Sequence, residues 1–120
     1  MKNKIRKFHS GADRDLSDHK IDYEGFLSPL VLREYGKYMQ KCQTRKDGTK
    51  RESDNWQKGI PQNEYLKSAF RHFMNLWLNH RGCKADENKT TALCAILFNI
   101  QGYLHEELKI GSSGTERKNY

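Results

Sequence analysis

The chain has 120 residues, enough for one domain with a single core and too few for two. A formal net charge of +7, a pI near 9.4 and a mean hydropathy of −1.01 favour an anionic partner: a nucleotide, a nucleic acid or an acidic surface. Aromatic residues make up 11% of the chain, which argues against disorder throughout, and the low aliphatic content predicts a homo-oligomer that completes the core.

Residues 1–20 are charged and lack periodicity, so they read as a mobile polar arm. The N-terminal stretch "MKNKIRKFHSGADRD" has no apolar signal core, and no run in the chain is long enough to span a membrane. A cytoplasmic protein is expected. Cys42, Cys83 and Cys94 are odd in number and irregularly spaced. Cys42 and Cys94 fall in apolar periodic segments and read as small core residues of a reducing compartment. His80-x-x-Cys83 is half of a zinc pattern with no second pair to complete it.

A helical domain is expected over residues 21–109. In "SPLVLREYGKYMQKC", Ser28 is a good N-cap and Pro29 suits the first helical position. Leu32, Tyr35, Met39 and Cys42 then form an amphipathic stripe. Residues 43–60 make a connection too long for a plain helix–helix turn, with Asp47-Gly48 marking a turn inside it. This basic loop carries Arg51 and Lys58 as cations, with Asn55 as a hydrogen-bonding group and Trp56 as a stacking surface.

The second helix is expected from Pro61 to about Asn79. Tyr65, Ala69, Phe73 and Trp77 recur at i+4, flanked by Leu66, Phe70, Met74 and Leu78, and the eight read as one wide apolar face. Lys67, Arg71, Asn75 and Asn79 form an opposing row without a carboxylate, beside His72. A solvated face would pair its cations with acids, so this row reads as an anion site. The third helix, about Lys89 to Leu108, carries "ALCAILFNI" and is expected centrally, antiparallel to the second. Asn99 is the polar group inside that run and must find partners. Residues 110–120 read as a flexible tail. With no sustained strand period, the fold class is all-α: a small helical bundle around a central antiparallel pair.

The run "DNWQKGIP…Y…SAFRHFMNLWLNHRG…ALCAILFNIQGYLHE" resembles phage-encoded proteins of the dATP/dGTP diphosphohydrolase N-terminal family, relatives of the MazG-like all-α nucleoside triphosphate pyrophosphohydrolases. Its most specific element is Asn55-Trp56-x-Lys58-Gly59 followed by Arg71-His72; Trp77 and Asn99 match more loosely. The resemblance spans roughly residues 22–109. It implies a helical hairpin core that dimerises or tetramerises, with nucleotide sites near the subunit contacts and the host cytoplasm as location.

Members of that family follow the Arg-His helix with Gly-Glu, an acidic loop and histidines on the next helix. This chain instead reads "NHRGCKADENKTTALCA". Hydrolysis in such enzymes needs carboxylates holding Mg²⁺ or Mn²⁺, and the best isolated candidate here is Glu34. The expectation is therefore a protein that binds a nucleotide or cyclic nucleotide without needing a metal. On a hydrolase scaffold stripped of carboxylates it would act as a sponge for host immune nucleotides. The ligand-binding set would be Arg51, Asn55, Trp56, Lys58, Arg71, His72, Asn75 and Asn99. The alternatives are a metal-dependent dATP/dGTP diphosphohydrolase and a nucleic-acid-binding accessory protein whose affinity falls with salt.

Overall fold

The computed structural model describes residues 5–15 and 19–112. In chain order these form strands β1 (Ile5–Lys7) and β2 (Asp13–Asp15), then helices α1 (Tyr23–Phe26) and α2 (Pro29–Cys42). A 3₁₀ turn at Asn55–Lys58 precedes α3 (Gln62–His80) and α4 (Lys89–Ser112). Mostly helical is thus the class, with one small hairpin added. No described helix is long and apolar enough to cross a membrane.

Local chemistry explains the helix starts. The Asp22 carboxylate accepts from the Gly25 N–H at 3.0 Å and holds the single turn of α1. Ser28 caps α2 by accepting from the Val31 N–H at 3.3 Å, with Pro29 next to it. Asn88 does the same for α4, accepting from the Thr91 N–H at 2.8 Å. α4 runs through Ile110 and Gly111 to Ser112, so the first three residues of the expected tail are helical; residues 113–120 lie outside those described.

α4 packs against both α2 and α3, and the α3–α4 pair is the larger contact. The pair is antiparallel. At one end Gln62 Nε2 donates to Glu107 Oε2 at 2.8 Å; at the other Asn79 Nδ2 donates to the Glu87 carbonyl at 2.8 Å. The seam is lined with small residues: Ala69 on α3, and Ala92, Ala95 and Gly102 on α4 are all buried. Tyr65 is the large exception, 2% exposed. Its ring lies so close over Gly102 that a methyl group on that α-carbon would coincide with the phenol. Phe98 meets the same ring edge-on at 5.8 Å. The Tyr65 hydroxyl is buried without a hydrogen-bond partner, a state that costs about 1–3 kcal/mol.

Three expectations need correction. The wide apolar face of the second helix is not all core: Tyr65 and Ala69 are buried, while Phe70, Phe73, Met74 and Trp77 are exposed. The reason is helical drift. Each i+4 step advances about 40° beyond a full turn, so a row of four spirals off the seam it starts on. The expected stripe of α2 is likewise only half-buried, and Cys42 at its end is exposed; only Cys94 is a core thiol. Finally, the N-terminal arm contains the β1–β2 hairpin, paired Ile5 to Asp15 and Lys7 to Asp13. Its turn is closed by Phe8 N–H to Ala12 O at 2.9 Å, with Gly11 at φ +91°, a conformation that favours glycine. A two-stranded ribbon with almost every residue exposed needs no apolar alternation, which is why periodicity does not reveal it.

The Tyr65–Gly102 contact yields a two-sided prediction. Alanine at Gly102 gains about 1 kcal/mol in helix propensity. The methyl must also displace the ring or the helix, at about 1–3 kcal/mol. Thermal melting of Gly102→Ala should therefore show net destabilisation of up to about 2 kcal/mol, whereas Tyr65→Phe, which removes the orphaned hydroxyl, should hold or raise the melting temperature.

A second prediction concerns pH. Burial pushes the phenols of Tyr35, Tyr38 and Tyr65 above the ordinary value of 10.0. Above pH 10 the unfolded chain sheds protons that the folded chain retains, so this contribution to stability is fully present below that pH and is lost as pH rises past it. Chemical denaturation between pH 9 and about 11.5 should show falling stability, with tyrosinate absorbance developing fully only on unfolding.

Candidate functional site

A cavity of about 550 Å³ lies where the 43–60 loop crosses over the three long helices. Its walls come from distant parts of the chain: Tyr38 on α2, Arg51 and Trp56 on the loop, Ser68 and His72 on α3, and Asn99 on α4. Gln43, Glu52, Asn55 and Phe98 complete the polar and aromatic lining.

The loop owes its shape to backbone bonding. Thr44 and Lys50 form an antiparallel bridge, and the turn between them is closed by Arg45 N–H to Thr49 O at 2.7 Å. Asp47 accepts from the Thr49 hydroxyl at 2.7 Å and the Thr49 N–H at 3.0 Å, which holds its carboxyl below the usual carboxylate value. At the base of this excursion the Arg51 N–H donates to the Gln43 carbonyl at 2.8 Å, and Gln43 Nε2 donates back to the Arg51 carbonyl at 3.4 Å. The chain then enters the 3₁₀ turn, which ends at Gly59 with φ +122°. Trp56 pins that turn to α4, edge-on to His105 at 4.8 Å and to Phe98 at 6.3 Å. Lys109 adds a bond to the Gln57 carbonyl at 3.4 Å.

His72 forms the polar end of the cavity. Its Nδ1 meets Glu87 Oε1 at 2.5 Å, and Asn75 Nδ2 donates to the same oxygen at 3.0 Å. Asn79 donates to the Glu87 carbonyl, and Asn75 Oδ1 accepts from the Asp86 N–H at 3.3 Å. Both partners are largely shielded, with side chains 27% and 17% exposed. The carboxylate thus fixes the imidazole through Nδ1 and leaves Nε2 as the ring atom available to a ligand. Tyr38, also lining the cavity, has its phenol pushed up by burial, then by a hydrogen bond with Cys42, with the Glu87 carboxylate contributing further.

The fold gathers five of the eight expected ligand residues on this one cavity: Arg51, Asn55, Trp56, His72 and Asn99. Asn99 does so while its Nδ2 donates to the Ala95 carbonyl at 2.8 Å, the intrahelical partner its burial requires. Asn75 stands behind His72 as a ligand of Glu87. Lys58 and Arg71 are exposed and line no wall of the cavity. Along the i+4 row each step turns about 40° toward His72, so Asn75 and Asn79 reach Glu87 while Arg71, earlier in the row, faces elsewhere. Among the residues that sequence reasoning missed, Glu87 lay in an expected loop and His105 on an apolar helix. Only their meeting partners, one fold away, give them meaning.

A second, more open cavity of about 690 Å³ separates α2 from the start of α4, and Glu34 lines it beside Cys42 and Cys94. Burial raises the Cys94 thiol, with Glu34 adding to the effect. No group of three or more metal-ligating side chains occurs among the described residues. Among the described residues Glu52 is the one carboxylate lining the main cavity; Glu87 lines no wall of it and is bound to His72 and Asn75. This donor set does not fit the divalent cation that the family resemblance implies, which needs several carboxylates converging on one point. Comparison with protein-family models, curated proteins and solved structures returned no match.

A double-mutant cycle tests the His72–Glu87 contact. Glu87→Gln and His72→Ala should each lower stability, and their coupling energy should reach about 1–2 kcal/mol, the range for a shielded, charge-assisted hydrogen bond. Additive effects in denaturant titrations would reduce the contact to simple proximity.

Proposed function

We propose that this protein binds a nucleotide or cyclic nucleotide in the loop-covered cavity and holds it without cleaving it. The observation that carries the reading is the convergence of Arg51, Asn55, Trp56, His72 and Asn99, drawn from three distant segments, on one space of about 550 Å³. That volume lies in the range of small-molecule sites. Arg51 supplies a guanidinium for phosphate, Trp56 and Phe98 supply aromatic surface for a base, and Asn55 and Gln43 supply amides for base edges. Glu52 is an acceptor suited to ribose hydroxyls or an exocyclic amine and is ill-suited to phosphate.

The charge balance inside the cavity narrows the ligand. One arginine beside one glutamate suits a compact anion such as a monophosphate or a cyclic phosphodiester. A linear triphosphate would bring several negative charges to a wall with a single permanent cation. Lys58 and Arg71 act at longer range, adding to the positive field that draws an anion in. In a phage-infected cell, such a protein would sequester a signalling nucleotide of the host's defence, the sponge role that a hydrolase-like scaffold without its carboxylates could serve.

The test combines binding with turnover. The protein is incubated with a panel of dNTPs, mononucleotides and cyclic nucleotides, with and without Mn²⁺, then heat-denatured, and both released product and intact ligand are measured. The expected result is intact ligand recovered with no metal-dependent product, and Arg51→Ala weakening that ligand's affinity by roughly 10- to 100-fold. Manganese-dependent release of pyrophosphate would replace this reading with the diphosphohydrolase. Binding confined to oligonucleotides, falling steeply with salt, would replace it with the nucleic-acid role.

A further inference from the structure

We propose that the β1–β2 hairpin binds single-stranded nucleic acid, with Arg6 and Arg14 gripping a phosphate between them and Phe8 receiving the adjoining base. The strand register places Arg6 directly opposite Arg14, Lys7 opposite Asp13 and Ile5 opposite Asp15. Residues opposite each other share a face of an antiparallel ribbon, and side chains alternate between faces along a strand. Both acids of the hairpin therefore lie on the face of Lys7, while the other face carries Arg6, Arg14 and Phe8. The Arg6 guanidinium accordingly lies over the Phe8 ring, 5.6 Å from its centroid. Like charges directly opposite each other destabilise a ribbon, by up to about 1 kcal/mol. Among the described residues neither arginine side chain has an ion pair or a hydrogen bond, and even the shielded Arg6 Nε lacks a partner. An anion held between the two guanidiniums turns their repulsion into attraction and occupies donors that the fold leaves unused.

Charge, ring surface and access together select a single strand as the occupant. Phosphate suits the arginine pair, because two planar forks on one face can donate to it from both sides, a geometry lysines would not fix. Phe8 remains 44% exposed beside the stacked guanidinium, which leaves ring surface for a second flat group. A nucleotide joins these two chemistries, an anionic phosphodiester and a flat base, in every repeating unit, and unpaired bases are free to stack on an aromatic ring. A duplex hides its base faces and offers the same surface little beyond phosphates. A membrane surface requires an apolar anchor beside the cations, yet Ile5, the large aliphatic residue of the strands, lies on the acidic face. Access is open as well: Arg14 is exposed, and no helix packs broadly against either strand. The net charge of +7 adds long-range attraction for a polyanion. The loop-covered cavity shares no residue with the ribbon, so the two ligands are held by separate parts of the molecule.

Fluorescence anisotropy on the full chain tests the assignment, with labelled oligothymidylate and oligouridylate of about 12 nucleotides as the DNA and RNA probes. Tight binding of either supports it. Arg6→Gln, Arg14→Gln and Lys7→Gln each remove one positive charge from the same ribbon. Each arginine variant should weaken binding roughly tenfold and lower the salt slope of log affinity by about 0.7, the value for one phosphate contact on a single strand. Lys7→Gln, on the opposite face, should stay within about twofold of the unaltered chain. Phe8→Ala should also cost roughly tenfold, with the salt slope unchanged. Photocrosslinking of the unaltered chain to a bromouridine-substituted oligonucleotide needs no variant, and peptide mass spectrometry should find the mark on the peptide containing Phe8. An excess of mononucleotide should not displace the oligonucleotide, which separates this site from the cavity. Equal losses from the three glutamine variants would reduce the binding to net charge and overturn the proposal. So would displacement by mononucleotide, a duplex bound as tightly as the single strand, or cross-links confined to residues outside 5–15. Absence of oligonucleotide binding overturns it too, whether or not phosphatidylserine vesicles bind instead.

Discussion

The close approach of Tyr65 to Gly102 sets the spacing on which everything else in this molecule rests. A seam of alanines and one glycine lets α3 and α4 come nearer than leucine-lined helices could, and the phenol fills the single gap that such a seam leaves. Close packing has a geometric cost. Tyr65 is the one large ring buried in the seam, while Leu66, Phe70, Phe73, Leu93 and Leu97 lie on the exposed flank. The same spacing brings His72 within reach of Glu87 across the α3–α4 turn and sets Asn99 against the cavity floor.

The helices themselves were legible. Ser28-Pro29 and Pro61 place the starts of α2 and α3 within a residue, because capping and proline chemistry act locally. The antiparallel pairing of α3 with α4 was legible too, since no other segment offered an apolar surface of matching length. What failed was the assignment of side chains to faces. Treating Tyr65, Ala69, Phe73 and Trp77 as one row ignores the drift of an i+4 series, and Arg71, one residue before His72, sits about 100° round the helix from it. The seam in fact follows Tyr65, Ala69 and His72, at alternating steps of four and three. Gly102 carried no signal at all: an isolated glycine in a helix looks like tolerance until the ring above it is seen.

Cation placement separates attraction from contact. Most of the excess positive charge is spread over exposed lysines and arginines, where water and salt screen it beyond roughly 8–10 Å. The main cavity is lined by Arg51 and Glu52, and the imidazole of His72 is already engaged. Composition therefore reports on how an anion is drawn toward the protein. Which groups of that anion are recognised depends on amides, one guanidinium and an aromatic wall, none of which a net charge can reveal.

The reciprocal bonds between Gln43 and Arg51 isolate the outer part of the loop from the cavity rim. Everything between them, including the Asp47-Gly48 turn, closes on itself through its own bridge and hydrogen bonds. Lengthening a loop whose ends are already tied adds only slowly to its closure entropy. The tip at Asp47-Gly48 is therefore a place where residues, a fluorophore or an affinity tag can be inserted while Arg51 and Trp56 stay in register. Evolution has the same freedom there: the outer turn can change sequence or length independently of the pocket it overhangs.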